Sequence, residues 1–239
     1  GSNNVSIGLS AMFSQTTAGA NVAIGRNALY ANLTGANNVA IGDQALTSST
    51  GSNNTAVGLY AGLNCTGGSN VFMGTQNFQL NTDGGSNVGV GVQAGYNNTV
   101  GIQNTYIGYA AGYGQTGNTG NANTAVGNYS QKDRAGGSGN TSVGHYALGS
   151  DQNAGFNASD NTAVGTFTGQ KMSSGALNTL IGYDAGKNLT TGSNNTCLGS
   201  YAGDATTSGS HNNIFGYACD TSSVNSTDQI VIGTNGQVG

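Results

Sequence analysis

The chain has 239 residues, with 43 Gly and 33 Asn, no Pro, Trp or Glu, and only 6% charged side chains. A globular enzyme carries about 25% charged residues, collagen needs proline and a glycine at every third place, and a disordered linker lacks the regularly recurring aliphatics found here. The net charge of −4, with the five Lys and Arg scattered except at Lys132-Asp133-Arg134, argues against nucleic acid as a partner, and no apolar run approaches the roughly 20 residues of a membrane span.

Along the chain the predicted elements are copies of one phrase, Asn-[Val/Thr]-small-[Ile/Val]-Gly. Clear forms are Asn21-Val22-Ala23-Ile24-Gly25, Asn38-Val39-Ala40-Ile41-Gly42 and Asn161-Thr162-Ala163-Val164-Gly165. The anchor glycines are Gly8, Gly25, Gly42, Gly58, Gly74, Gly91, Gly108, Gly127, Gly144, Gly165, Gly182, Gly199, Gly216 and Gly233, most of them 17 residues apart. Four places before the anchor stand Asn4, Asn21, Asn38, Asn54, Asn70, Asn87, Asn104, Asn123, Asn140, Asn161, Asn178, Asn195 and Asn212, with Gln229 closing the series. One place before the anchor the residue is always large and apolar, from Ile7 to Ile232. Three places after it stands mostly Ala, as at Ala28, Ala45 and Ala61.

Each column predicts local structure. The β-branched tripeptide predicts a short strand whose Ile or Val faces the core. The anchor glycine predicts a turn with a backbone angle that a side chain would resist. A second short strand is expected to hold the inward Ala, and a Thr/Ser/Gly/Asn stretch such as Thr191-Gly192-Ser193-Asn194 closes the coil. Two strands in about 17 residues bury nothing alone, so the repeats stack, each strand beside the same strand of the next coil. At about 4.8 Å per coil the asparagines then form a ladder of amide hydrogen bonds. The fold class is therefore all-β, a parallel β-solenoid of about 14 coils with a ~17-residue period, one repeat domain over residues 1–239 that reads as a fragment of a longer chain. Small apolar residues on the other strand face (Ala23, Ala40, Ala56) suggest that both faces are covered, most simply by three chains around one axis.

Candidate sites are few. Three cysteines (Cys65, Cys197, Cys219) match neither a disulfide framework nor a zinc spacing, and His145 and His211 lie four coils apart, about 19 Å, too far to share a metal. Nine scattered Asp and no Glu offer no paired carboxylates for glycoside hydrolysis. No catalytic residue, metal or cofactor is expected, and no targeting segment is visible. Two longer intervals predict inserted loops near residues 113–122 and 149–159, where Tyr113, Gln115, Asp151, Gln152 and Phe156 mix aromatics with polar side chains suited to a receptor. Aromatics also gather two places after the anchor, at Tyr60, Tyr129, Tyr146, Phe167 and Tyr201, where packing between chains or capping of the narrow core competes with a ligand stripe.

The phrase, followed by Ala-Leu or Ala-Gly, resembles the head repeats of YadA-like trimeric autotransporter adhesins. It resembles more closely the longer-period repeats of phage tail fibres and other surface fibres. The resemblance spans about residues 3–239. It implies a left-handed parallel β-roll, a homotrimeric fibre, and a role in attachment to a surface. The expected function is thus a structural fibre or adhesin segment projecting from a virion, injection particle or cell, not an enzyme, binding itself and a cell-surface glycan or protein receptor, without membrane insertion of this segment. An ice-binding solenoid, suggested by the Thr column at Thr55, Thr105, Thr124, Thr141, Thr162, Thr179 and Thr196, and a polysaccharide-processing tail spike are the alternatives.

Overall fold

A computed structural model describes residues 1–115, 117–133, 135–149 and 157–234, and every regular element among them is a β-strand. Contacts divide the chain into two compact units, Gly1–Asn121 and Ala122–Gly239. The first carries β1 (Val5–Ile7), β2 (Val22–Ile24), β3 (Val39–Ile41), β4 (Thr55–Val57), β5 (Val71–Met73), β6 (Val88–Val90) and β7 (Thr105–Ile107). The second carries β8 (Thr124–Val126), β9 (Thr141–Val143), β10 (Thr162–Val164), β11 (Thr179–Ile181), β12 (Thr196–Leu198), β13 (Asn213–Tyr217) and β14 (Ile230–Thr234).

Within each unit every strand pairs in parallel with its successor. The register sets each column on itself: Val5 opposite Val22, Ala40 opposite Ala56, Thr162 opposite Thr179. A three-residue strand is too short to stand alone, and the coil-to-coil hydrogen bonds extend past it on both sides. The anchor Gly25 N–H donates to Ile7 O at 2.8 Å, Asn27 N–H to Leu9 O at 2.9 Å, and Val22 N–H to Asn38 O at 2.8 Å. The chain is a β-solenoid in both units, with about one coil per 17 residues.

Two expectations are corrected. Among the described residues the second strand is absent, and linked turns take its place. Ala28 N–H bonds back to Gly25 O at 3.4 Å and Tyr30 N–H to Asn27 O at 3.3 Å, while Asn27 (φ 56°) and Leu29 (φ 50°) lie in the left-handed region. A positive φ at the third turn position is the mark of a type II turn. A strand would send Ala28 and Leu29 to opposite faces, whereas the alternating left-handed steps at Asn27 and Leu29 leave both completely buried. Holding non-glycine residues there costs on the order of 1–3 kcal/mol each, and the bond from Leu29 N–H to Ala45 O of the next coil (3.0 Å) locks the conformation in place.

The large aliphatic column is the second correction. Ile41 is 37% exposed, Leu198 46% and Ile7 58%, while Ala23, Ala40, Ala56 and Ala163, one place earlier, are fully buried. The asparagine column decides this. Its side chains are buried and bonded inside the coil, and in a strand of period two the residue two places on faces the same way. From β2 onward the core is therefore lined by the middle, or in β13 and β14 the second, residue of each strand and by the two residues after the turn. Volumes trade across it: Ala23 and Ala40 share their coils with Leu29 and Leu46, whereas Tyr106 shares its coil with Gly112, where a Cβ would come within 2.5 Å of the ring. Phe72, Phe78 and Tyr106 stack in turn at 4.9 and 5.6 Å.

Candidate recognition surfaces

Inside the coils the asparagines form a ladder with two rungs per residue. Asn21 Oδ1 accepts the backbone N–H of Asn38 at 2.8 Å, and its Nδ2 donates to Gly35 O at 3.0 Å. Asn161, Asn178 and Asn195 repeat this pattern and also bond amide to amide, at 2.9 Å from Asn178 to Asn161 and 3.0 Å from Asn195 to Asn178. Every atom of these buried amides is occupied by the scaffold, so the column holds the corner of each coil and offers no group to a ligand. The anchor glycines stack equally closely. Gly42 has φ 134°, and a Cβ there would lie 2.5 Å from Gly58 O.

Sequence reasoning passed over a second internal amide column in the first unit. Asn32 Oδ1 accepts Gly35 N–H and its Nδ2 donates to Gly35 O, both at 2.8 Å, and Asn81 does the same with Gly84 at 2.8 and 3.0 Å. The signal was Asn three places before a loop glycine, the Asx-turn spacing. In the second unit the equivalent place belongs to Met172 and Leu189, both buried.

Outside, the strands of each unit present two columns in register. In the first unit Ile7, Ile41, Met73, Val90 and Ile107 are exposed, beside the half-buried Val22, Val39, Val71 and Val88. In the second unit Val143, Val164, Ile181, Leu198 and Ile232 are exposed, and the parallel column two places earlier is Thr124, Thr141, Thr162, Thr179 and Thr196. Strand alternation puts both columns on one face, with no charged residue in either. Apolar side chains spaced singly over a surface need no partner, but an unbroken row of them marks an interaction face.

The aromatic positions of the second unit also come together. Tyr129 stacks on Tyr146 with centroids 4.9 Å apart, and Tyr146 on Phe167 at 6.0 Å. The series then turns edge to face through Tyr183 and Tyr201 to Tyr217, at 6.3, 5.3 and 6.0 Å. His145 packs edge-on against Tyr146 at 4.7 Å and Phe167 at 5.4 Å. Lys132 Nζ stands 5.4 Å from the Tyr129 ring centre, and Lys187 Nζ 5.2 Å from that of Phe167. Tyr60, in the first unit, is not part of this group. Tyr183 and Tyr217 occupy the place next to the anchor rather than the second one, so a single sequence column holds only part of the row.

Of the loop candidates, half-buried Tyr113 stacks on Tyr96 at 5.3 Å, and Gln115 O accepts Asn118 N–H at 3.1 Å. Asp151, Gln152 and Phe156 lie outside the described residues. His211 Nδ1 is 3.8 Å from Asp228 Oδ1 on an exposed edge, four coils from His145. Burial pushes the Asp220 carboxyl up to about 6, assisted by neighbouring Asp204 and opposed by the Ala205 N–H at 2.9 Å. Burial likewise pushes the Cys65 and Cys197 thiols up to about 12. Among the described residues no three His, Cys, Asp or Glu side chains gather as a metal site requires, and no helix is long and apolar enough to cross a membrane. No protein-family model, curated protein or solved structure matches the chain.

Proposed function

We propose that the protein is a structural segment of a surface fibre, of the YadA-like or tail-fibre kind, in which three copies pack around one axis through their outward aliphatic columns. The fibre projects from a virion or a cell and serves attachment to a surface carrying glycan or protein receptors. One observation carries this reading: the row from Ile7 to Ile107, and its counterpart from Val143 to Ile232, is apolar at every coil and exposed at most of them, with Ile24, Val57 and Phe215 half-buried. A partner that covers such a row rung for rung needs apolar groups at the same axial spacing, and another copy of the chain supplies them. The left-handed roll belongs to the same reading. Light scattering on the purified chain tests it: the expected mass is three times 23.6 kDa, and Ile41→Asp with Ile181→Asp returns it to one chain mass. A wild-type chain that stays monomeric at micromolar concentration overturns the trimer.

A second reading has its own support. In the second unit the Thr column shares its open face with the aliphatic column, giving two regular rows instead of one, an arrangement also suited to ordered water. Thermal hysteresis from a monomeric sample establishes ice binding; its absence removes that reading.

A further inference from the structure

Six successive coils of the second unit each carry an aromatic ring beside the anchor glycine, and the rings touch without a break from Tyr129 to Tyr217. Stacking alone would explain buried rings lying face on face, as Phe72 and Phe78 lie in the other unit. The outer rings are different. Tyr183 and Tyr217 are 44% and 52% exposed, and each meets half-buried Tyr201 at a steep angle, with interplanar angles of 75° and 88°. Perpendicular neighbours cannot cover each other's faces, so ring surface stays open to solvent. Tyr183 and Tyr217 are two coils apart, about 9.5 Å along the stack. That is close to the length of two pyranose rings joined in line.

Charge narrows the ligand. The chain is acidic overall, with only three lysines, Lys132, Lys171 and Lys187, and all three lie in coils of this row. Lys132 and Lys187 stand over its rings, and exposed Lys171 lies in the coil next to Lys187, its backbone N–H on Lys187 O at 3.0 Å. Two carboxylates pair with them, Asp133 at 3.6 Å and Asp184 at 3.1 Å, and their side chains are only 13% and 7% exposed. From solvent a ligand therefore meets ammonium groups and ring faces before it meets the acids beneath. Ammonium groups select carboxylate or sulfate, and Tyr rings with polar rims suit the apolar faces and hydroxyls of sugars.

We propose that this aromatic and lysine row binds an acidic linear polysaccharide, the chain running along the coils with its sugar rings on Tyr183 and Tyr217 and its anionic groups at Lys171 and Lys187. The inference rests on the attachment reading for its choice of a surface glycan, and the two fail separately, since light scattering reports the fibre and glycan binding reports the row.

Alginate, a polyuronate, is the probe, and neutral mannan of the same linkage the control, in affinity electrophoresis or calorimetry of the full chain. Alginate is expected to bind, mannan at least about tenfold more weakly, and binding is expected to fall as salt shortens the reach of the lysines. Tyr183→Ala with Tyr217→Ala should weaken alginate binding by about tenfold or more. If loss of the rings unfolds the coils, Lys171→Gln with Lys187→Gln leaves them in place and should weaken binding to a similar extent. No binding of alginate, equal binding of mannan, or a folded ring or lysine variant that binds as the parent does overturns the proposal.

Discussion

A buried asparagine in this chain satisfies three neighbours at once. Asn178 accepts from the backbone of Asn195, donates to the carbonyl of Gly192 in the following turn, and reaches back to Asn161. Its inward direction dictates the rest of the strand, because alternation then turns Leu180 inward and Thr179 and Ile181 outward. The asparagine column was plain in the sequence, and so was the ladder, yet the aliphatic column beside it was placed in the core. Apolarity alone favours burying the largest residue of an isolated coil, but a ladder of buried amides fixes which face is inside. The difference is measurable. Ala40→Asp puts a carboxylate into a fully packed position and is expected to destabilise by about 3 kcal/mol or more, whereas Ile41→Asp on the open face should shift the stability of a single chain by no more than about 1 kcal/mol. Denaturant melts of the two variants at low concentration check this, and equal losses would return Ile41 to the core. Buried thiols give a second residue-scale outcome. Cys65 and Cys197, pushed up to about 12 from an ordinary value near 9, stay protonated at pH 8 and should resist iodoacetamide until the coils open. Their folded values lie above the unfolded ones, so their contribution to stability is complete below pH 9 and is lost as pH rises toward 12. Mass spectrometry of native and denatured samples reads the labelling, and rapid native alkylation would contradict the burial.

At the scale of an element, the coil is one three-residue strand and a train of turns. The strand was legible because its β-branched residues and its glycine recur in step. The turns were not, since Leu29, Leu46 and Phe78 are residues that a propensity argument sends to strands or helices, and each holds a positive φ. Only stacking explains them: each of the three donates its N–H to the next coil, Leu29 to Ala45 O at 3.0 Å, Leu46 to Ala61 O at 3.0 Å and Phe78 to Ala94 O at 2.9 Å. No window of a single repeat contains that partner. The same stacking distinguishes glycines that look alike in the sequence. Gly42→Ala drives a methyl group to 2.5 Å from the Gly58 carbonyl at φ 134°, while Gly117→Ala, at φ 84° with nothing within 4 Å, meets only its own backbone preference. The first is expected to cost about 3 kcal/mol or more and the second about 1 kcal/mol, read from the thermal midpoints of the two variants.

For the whole molecule, the decisive property is that contacts run from each coil to its neighbours. Every strand pairing within a unit joins consecutive strands, and the ladder bonds of each asparagine reach 13 to 21 residues along the chain and no further. Stability in such an arrangement is a sum of coil terms and nearest-neighbour terms, so damage should stay local. Ala163→Asp tests this. It introduces a charge between Ser142 and Leu180, its register partners, and should strip the amide protection of Thr141, Thr162 and Thr179. Val39, Thr55 and Val71, which bond to Asn54, Asn70 and Asn87 in the other unit, should keep their protection within a few-fold. Hydrogen exchange followed by mass spectrometry resolves the two regions in one experiment. Uniform loss of protection from Val39 to Thr179 would mean that the chain unfolds as one cooperative body, and the coil-by-coil account would then be wrong. Local loss would also explain how a repeat chain tolerates the longer intervals before Gly127 and Gly165, since an insertion that leaves both adjoining pairings intact disturbs only its own coil.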